Sequence, residues 1–193
     1  MVPAKLYRVS RLLLLAGPLA FAVFSAGVLL SSQLNPWWSL YKDAFSDLGG
    51  PKARAPWIFN SALIVAGVLF CMFSIGLLGL SKSRVVSFAS GLLFMAGVFL
   101  ALIGVYPSGT RPHVFVSSWF YVQSFMGMAV LGVGLLLEKK LVHGIALLLL
   151  GVLPMPLALL VEATIGWPSI AILELAGAFF ILAGALLLLS NTL

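Results

Sequence analysis

Six apolar runs, each long enough to cross a lipid bilayer, dominate this sequence. They cover residues 11–30, 58–80, 85–105, 114–137, 141–161 and 170–189. A bilayer core of ~30 Å is crossed by about 20 helical residues, and each run supplies that length. Backbone polar groups in hydrocarbon must be bonded within their own segment, so the runs are predicted to be helices. None shows the alternating pattern of a membrane barrel.

The composition excludes an ordinary soluble domain. Of the 193 residues, 62% are hydrophobic and only 8% are charged, whereas a soluble domain carries about 25% charged residues. No stretch is polar enough to form a separate soluble domain. The sequence therefore predicts an all-α polytopic protein, a bundle of six transmembrane helices that forms one integral membrane domain over residues 1–193.

The basic residues indicate an orientation rather than a nucleic-acid partner. The net charge is +6, but lysines and arginines lie in short clusters that flank the apolar runs, as in membrane proteins. Seven fall on the N-terminal side of the predicted membrane: Lys5, Arg8, Arg11, Lys82, Arg84, Lys139 and Lys140. Four fall on the other side: Lys42, Lys52, Arg54 and Arg111. The positive-inside rule then predicts a cell-membrane protein with both termini in the cytoplasm.

The one long polar segment is the first outer loop, residues 33–56. Asn35 followed by Pro36 is typical of a helix N-cap and first helical position. Apolar residues recur at helical spacing: Trp38, Tyr41, Phe45 and Leu48. Polar residues gather on another face: Ser39, Asp43, Ser46 and Asp47. The pattern predicts a short amphipathic helix, Pro36 to Leu48, that lies in the outer interface and stops at Gly49-Gly50-Pro51.

Prolines and glycines modify the predicted helices. Three prolines should kink or break the first and fifth helices: Pro18, Pro154 and Pro156. Glycines seven residues apart share a helix face and let a neighbouring helix approach closely. Two such pairs occur: Gly144 with Gly151, and Gly177 with Gly184.

Glu174 is the most informative polar residue within a span. It lies ~7 Å along the sixth helix if that helix begins near Ser169. An ionisable group at this depth should face the bundle interior or a watery cavity, because exposure to hydrocarbon is costly. We expect it to be protonated, paired with Arg111 or His113, or placed in a polar cavity. A structural clamp between helices is an equal alternative.

His113 opens the fourth helix, and Ser117 and Tyr121 follow on the same face. A histidine beside carboxylates can act as a general acid or base or bind a metal. The alternative, slightly favoured, is a histidine that bonds a loop carbonyl. Arg111 could bind a lipid phosphate or serve as an interfacial anchor.

Ser46-Asp47 could be a nucleophile or ligand pair, or could cap a local turn. The chain contains no HExxH, GxSxG, CxxC or P-loop pattern. A site hypothesis therefore depends on convergence at the outer side rather than on a motif. The catalytic candidates are His113, Asp47 and Glu174. The ligand-binding candidates are Ser46, Gly49, Arg111, Ser117, Trp119, Tyr121 and Glu162. No metal site is predicted, and the sequence leaves the cofactor unknown.

A family resemblance rests on three features of the sequence. They are the element SDLGG after the first helix, the stretch GVYPSGTRPHVFVSSWF and the late glutamate of the sixth helix. The sequence resembles the domain-of-unknown-function family numbered 998, small polytopic membrane proteins. The matching positions are Ser46, Asp47, Leu48, Gly49, Gly104, Tyr106, Pro107 and His113, with Tyr106 in place of the usual Phe. The resemblance implies a six-helix bundle in a membrane and supplies no activity.

Three classes of function remain in competition. The leading hypothesis is binding or transport of a lipid headgroup or another amphipathic small molecule, in a cavity that is elongated and open sideways to membrane lipid. The second is an intramembrane lipid hydrolase or transferase that uses His113 and a carboxylate. The third is a structural or partner-binding subunit, whose polar residues pair with each other and leave no cavity.

Overall fold

A computed structural model describes residues 4–190, and within that range all regular structure is helical. The α-helices are α1 Ala4–Leu13, α2 Ala16–Leu34, α3 Pro56–Leu80, α4 Arg84–Val105, α5 His113–Leu137, α6 Leu141–Val152, α7 Pro154–Thr164 and α8 Ile170–Ser190. A single 3-10 helix, Phe45–Gly49, lies between α2 and α3. Five segments are long and apolar enough to cross a membrane, or six if the bent pair α6 and α7 forms one span. The all-helical class is confirmed, and the apolar helices are those of a multi-pass membrane protein.

The first predicted helix is divided by its proline. Pro18 is the third residue of α2, and its ring excludes the carbonyl four residues earlier, that of Leu14, from regular helical bonding. The amides of Leu14 and Leu15 bond carbonyls only three residues back, at 3.2 and 3.1 Å. The break between α1 and α2 follows from this, and the predicted distortion is confirmed.

The fifth predicted helix is also divided. Helix α6 ends at Val152, α7 begins at Pro154, and the two axes differ by 41°. Helix α6 packs closely along α5, whereas α7 makes few close approaches to it. The predicted effect of Pro154 and Pro156 is confirmed: the bend leads α7 away from α5.

Glycines bring helix backbones together elsewhere in the bundle. A Cβ atom on Gly97 of α4 would meet the Cys71 amide of α3 at 2.8 Å and the Gly67 carbonyl at 2.9 Å. A Cβ atom on Gly151 of α6 would meet the Phe125 carbonyl of α5 at 2.6 Å. These positions admit only a hydrogen atom, so the helices are in van der Waals contact through their backbones.

The two predicted glycine pairs behave differently. Gly144 and Gly151 both face α5, as expected. Gly177 and Gly184 of α8 also face α5, but each lies under a side chain. A Cβ atom would meet the Tyr121 ring at 2.6 Å in the first case and the Met128 sulfur at 2.5 Å in the second. Helix α8 therefore packs against α5 through side chains, and the two backbones lie farther apart than those of α5 and α6.

The connections divide between two ends of the bundle. Gly50 lies beside Ser108, and the Ser169 hydroxyl bonds the Leu40 carbonyl, so the segments before α3, α5 and α8 share one end. We call this the loop end. Gly134 packs against Val86 at the opposite end.

The predicted amphipathic helix from Pro36 to Leu48 is wrong. Residues 36–43 form turns and bends, and only Phe45–Gly49 is helical, as a 3-10 turn. The Asp43 carboxylate accepts a hydrogen bond from the Ser39 amide at 2.7 Å, and the Asp47 carboxylate accepts one from the Ala44 amide at 2.9 Å. These local bonds satisfy backbone groups that a continuous helix would need, so they favour turns.

Gly97→Ala tests the backbone contact between α3 and α4. The added methyl group must displace Cys71 and the Gly67 carbonyl, and overpacking of this kind costs about 1–3 kcal/mol. We expect a lower thermal unfolding midpoint in detergent, measured by the loss of monodisperse protein on heating.

The matched control is Gly91→Ala in the same helix, where no atom lies within 4 Å of the added Cβ. Since alanine favours helix over glycine by up to about 1 kcal/mol, this variant should be as stable as the parent chain or slightly more stable. Equal midpoints for the two variants would contradict the packing account.

Candidate functional site

The start of α8 holds the outer loop by three hydrogen bonds. They are Ser169 Oγ to the Leu40 carbonyl at 2.6 Å, the Ala171 amide to the Asp43 carbonyl at 3.0 Å, and the Phe45 amide to Glu174 Oε2 at 2.8 Å. The amides of a first helical turn have no partner within the helix. Helix α8 thus uses its free N-terminal donors and one carboxylate to fix the loop over the bundle.

Asn35 joins the two ends of the loop. Its side chain is fully buried. The amide nitrogen donates to the carbonyls of Ser31 at 2.8 Å and Arg54 at 3.2 Å. The amide oxygen accepts from the Arg54 backbone at 2.6 Å and from the Trp37 indole at 3.2 Å. Asn35 was predicted to cap a helix that follows it; instead it ends α2 and connects it to the segment before α3.

A second asparagine holds the 3-10 helix. Asn60 of α3 donates from its side-chain nitrogen to the Gly49 carbonyl at 3.1 Å. Gly49 is buried against this side chain, and a Cβ atom there would collide with the Asn60 oxygen. Sequence reasoning did not single out Asn60. An amide one turn inside an apolar span, on the side of the polar loop, was the available signal.

Glu174 makes the loop contact instead of an ion pair. One carboxylate oxygen accepts the Phe45 amide, and the Glu174 backbone carbonyl accepts the Tyr121 hydroxyl at 3.0 Å. Within residues 4–190 the only ion pair joins Lys140 and Glu138, so neither Arg111 nor His113 neutralises Glu174. The contact with Phe45 joins α8 to the loop, whereas the structural alternative considered for this residue was a clamp between helices.

His113 is buried and bonds a loop carbonyl. Its Nδ1 lies 2.8 Å from the Tyr106 carbonyl oxygen. A carbonyl can only accept, so Nδ1 carries the hydrogen, and in the neutral ring Nε2 is left as an acceptor. The favoured alternative, a histidine that bonds a loop carbonyl, is confirmed.

An inner cavity of ~90 Å³ lies among α2, α3, α4, α5, α8 and the 3-10 helix. Its polar lining residues are Ser46, His113, Ser117, Tyr121 and Glu174. All belong to the loop-end portion of their elements, whereas the deeper lining is aliphatic and aromatic, for example Phe70 and Ala185. The inner cavity is therefore polar at one end and apolar along the rest of its length.

A larger lateral groove of ~610 Å³ lies between α5, α7 and α8. Its walls are mainly apolar, and several wall residues, such as Met155, Leu157 and Ile170, are more than 40% exposed on the outside of the bundle. Trp167 lines it and donates from its indole to the Ala158 carbonyl at 3.1 Å. The groove shares Ser117, Tyr121 and Glu174 with the inner cavity, so these three residues border both spaces.

Five of the candidate residues do not line either space. Their positions have separate causes. The Asp47 carboxylate caps its own turn, and Gly49 is covered by Asn60. Trp119 lies two residues after Ser117, on the opposite face of α5, where it stacks on Phe99 at 6.3 Å between ring centroids. Arg111 and Glu162 are exposed, the first before α5 and the second on α7.

The predicted site residues thus fall into two groups, those that line the two spaces and those that lie elsewhere. The structure brings together Ser46, His113, Ser117, Tyr121 and Glu174 and leaves out Asp47, Gly49, Arg111, Trp119 and Glu162. Helical spacing accounts for the α5 members. No group of three or more His, Cys, Asp or Glu side chains within the described range is placed to hold a metal ion.

Comparison with known proteins gives one family. The model of the family described as "Protein of unknown function (DUF998)" matches residues 14–191. No curated protein and no solved structure matches the chain.

Asn35→Ala tests how the loop is held on the bundle. The change removes the side-chain partner of the Arg54 amide and carbonyl, and each lost hydrogen bond costs about 0.5–1.5 kcal/mol. We expect a clear fall in the thermal unfolding midpoint and faster proteolysis within residues 36–55, read by mass spectrometry of the fragments.

Ser32→Ala is the control for this variant. It removes a neighbouring polar group whose hydroxyl bonds only its own helix, at the Leu29 carbonyl. Its midpoint and cleavage rate should match those of the parent chain. An Asn35→Ala variant that is equally stable and equally protected would show that the loop is held by other contacts.

Proposed function

The chain belongs to the DUF998 family, and we propose that it is a cell-membrane protein that binds or transports an amphipathic molecule, such as a lipid, between α5, α7 and α8. The apolar tail would lie in the lateral groove. The head would lie at the junction with the inner cavity, beside Ser117, Tyr121 and Glu174.

The observation that carries the proposal is the shared lining of the two spaces. An apolar groove on the outside of a membrane bundle is accessible to lipid tails without passage through water. A polar group taken into hydrocarbon without a partner costs several kcal/mol. The polar side chains in the groove lining are those of Ser117, Ser118, Tyr121, Trp167 and Glu174, and Ser117, Tyr121 and Glu174 also line the inner cavity. A molecule with a tail and a small head matches this distribution of polarity.

The bent pair α6 and α7 supports a count of six spans. It starts at Leu141, beyond the connection at the opposite end, and it leads to Ser169 at the loop end. A chain that passes between the two ends crosses the bundle, so the pair acts as one span. With six spans both termini lie on one side, and the excess of lysine and arginine there favours the cytoplasm.

Fusion of a reporter to the C-terminus tests this orientation. A reporter enzyme that requires disulfide bonds is active only outside the cytoplasm, so the full-length fusion should be inactive. The same reporter fused after Thr110, at the loop end, should be active. Activity from the C-terminal fusion would overturn the proposed orientation.

The hydrolase or transferase alternative has less support from these contacts. His113 and Glu174 line the same cavity, but each is bonded to a backbone group, Tyr106 and Phe45 respectively, instead of to the other. The structural-subunit alternative draws support from the same bonds, since they fix the loop. It offers no reason for a groove that is lined by Glu174.

Photolabelling tests the proposed binding. Two amphiphiles with the same diazirine-bearing acyl chain, a monoacylglycerol and a lysophosphatidylglycerol, are added to the purified protein in detergent. We expect at least one of them to label groove peptides that contain Val122, Leu173 or Phe180, and the labelling should saturate, because a site fills whereas general detergent contact does not. Mass spectrometry of the labelled peptides provides the readout.

Ala176→Phe and Ala22→Phe make a matched pair for this experiment. Ala176 lines the groove, and a phenyl group there should abolish the saturable labelling. Ala22 is exposed on α2, away from both spaces, and its variant should label like the parent chain. Labelling that does not saturate with either amphiphile, or that survives Ala176→Phe, would sink the proposal.

A further inference from the structure

The hydrogen bonds around the junction point to the chemistry of the head that fits there. We infer that the site takes a head group that donates hydrogen bonds and carries no negative charge, with a primary amine as the best match. This inference rests on the proposed function, because it describes the head of the same amphipathic ligand.

The donors at the junction are already engaged. The Phe45 amide donates to Glu174 Oε2, and the Tyr121 hydroxyl donates to the Glu174 carbonyl at 3.0 Å. The Ser117 hydroxyl donates to the Val114 carbonyl at 3.1 Å. The His113 Nδ1 hydrogen is directed to the Tyr106 carbonyl. Only the Ser46 hydroxyl, among the polar side chains of the inner cavity, has no bond to another described residue.

Several acceptors remain available. Among residues 4–190, no donor lies within hydrogen-bonding distance of Glu174 Oε1. In the tautomer that carries its hydrogen on Nδ1, His113 has a lone pair on Nε2, and each hydroxyl that donates still has lone pairs to accept with. An ammonium group has three donors and no acceptor, and a hydroxyl has one donor. A head of this kind would satisfy the free acceptors, while a phosphate or carboxylate would find few donors.

Charge favours the same class of head. No lysine or arginine lines either space, and the only residue in the lining that carries a carboxylate is Glu174. Arg111, the residue considered for a phosphate, is exposed outside them. A negative head would lie beside Glu174 with no lysine or arginine to compensate its charge, and an unpaired charge taken out of water is costly.

The size of the inner cavity limits the head. A cavity of 150 Å³ in another protein accommodates benzene, and the inner cavity has ~90 Å³. The part of a head that enters the inner cavity is therefore limited to a few non-hydrogen atoms, such as an aminoalkyl or glycerol group.

Competition among amphiphiles with one tail and different heads tests the inference. Dodecylamine, monolauroylglycerol and dodecyl phosphate are each titrated over a range of mole fractions in the detergent micelle, together with the photolabel and before irradiation. We expect the amine to displace the label at ~10-fold lower mole fraction than the phosphate, since a charge-assisted bond to Glu174 is worth about that ratio. The glycerol should lie between them.

Glu174→Gln and Glu162→Gln are the paired variants. The glutamine oxygen can still accept the Phe45 amide, so Glu174→Gln should fold while losing most of the preference for the amine. Glu162 is exposed outside the two spaces, and its variant should keep the parent ratio.

The outcomes separate the two proposals. Displacement by the phosphate at an equal or lower mole fraction than the amine overturns this inference and leaves the proposed function standing. An unchanged preference in Glu174→Gln also overturns it. If none of the three competitors displaces the label, the binding function itself fails.

Discussion

The architecture depends on how the outer loop satisfies its backbone polar groups against an apolar bundle. A buried amide or carbonyl near hydrocarbon must find a partner in the protein, and a segment of turns supplies few of its own. Here Asn35, Asn60, Ser169 and Glu174 provide those partners from α2, α3 and α8. Because the loop is fixed in this way, Phe45 and Ser46 can close the inner cavity at one end.

Glycines and prolines determine where neighbouring helices pack closely and where they separate. Glycines join α3 to α4 and α5 to α6 through backbone contact. Pro154 then interrupts the helical hydrogen bonds after α6, and the axis of α7 is bent by 41° from that of α6. The lateral groove is the space that this divergence leaves between α5 and α8. A continuous helix in place of α6 and α7 would have extended the tight packing to the loop end.

Glu174 links the loop to the proposed ligand site. One carboxylate oxygen holds the Phe45 amide, and the residue lines both the inner cavity and the lateral groove. Structural and binding roles are therefore not exclusive at this position. In the proposed function, a ligand head at Glu174 would be in contact with the same group that positions the loop, so occupancy and loop position would be coupled.

The sequence by itself determined the helical class, the membrane character and the two proline breaks, since hydropathy, span length and the proline ring act locally. It also identified the face of α5 that carries His113, Ser117 and Tyr121, because helical spacing fixes that face. The loop conformation could not be derived in this way. The spacing of its apolar residues favoured a helix. In the structure, Asp43 and Asp47 instead accept hydrogen bonds from nearby backbone amides, and the start of α8 donates to the carbonyls of Leu40 and Asp43. Only the tertiary structure decided that Asn35 joins distant segments, that Trp119 and Arg111 lie outside the two spaces, and that Glu174 borders both of them. These features depend on contacts between segments far apart in the chain.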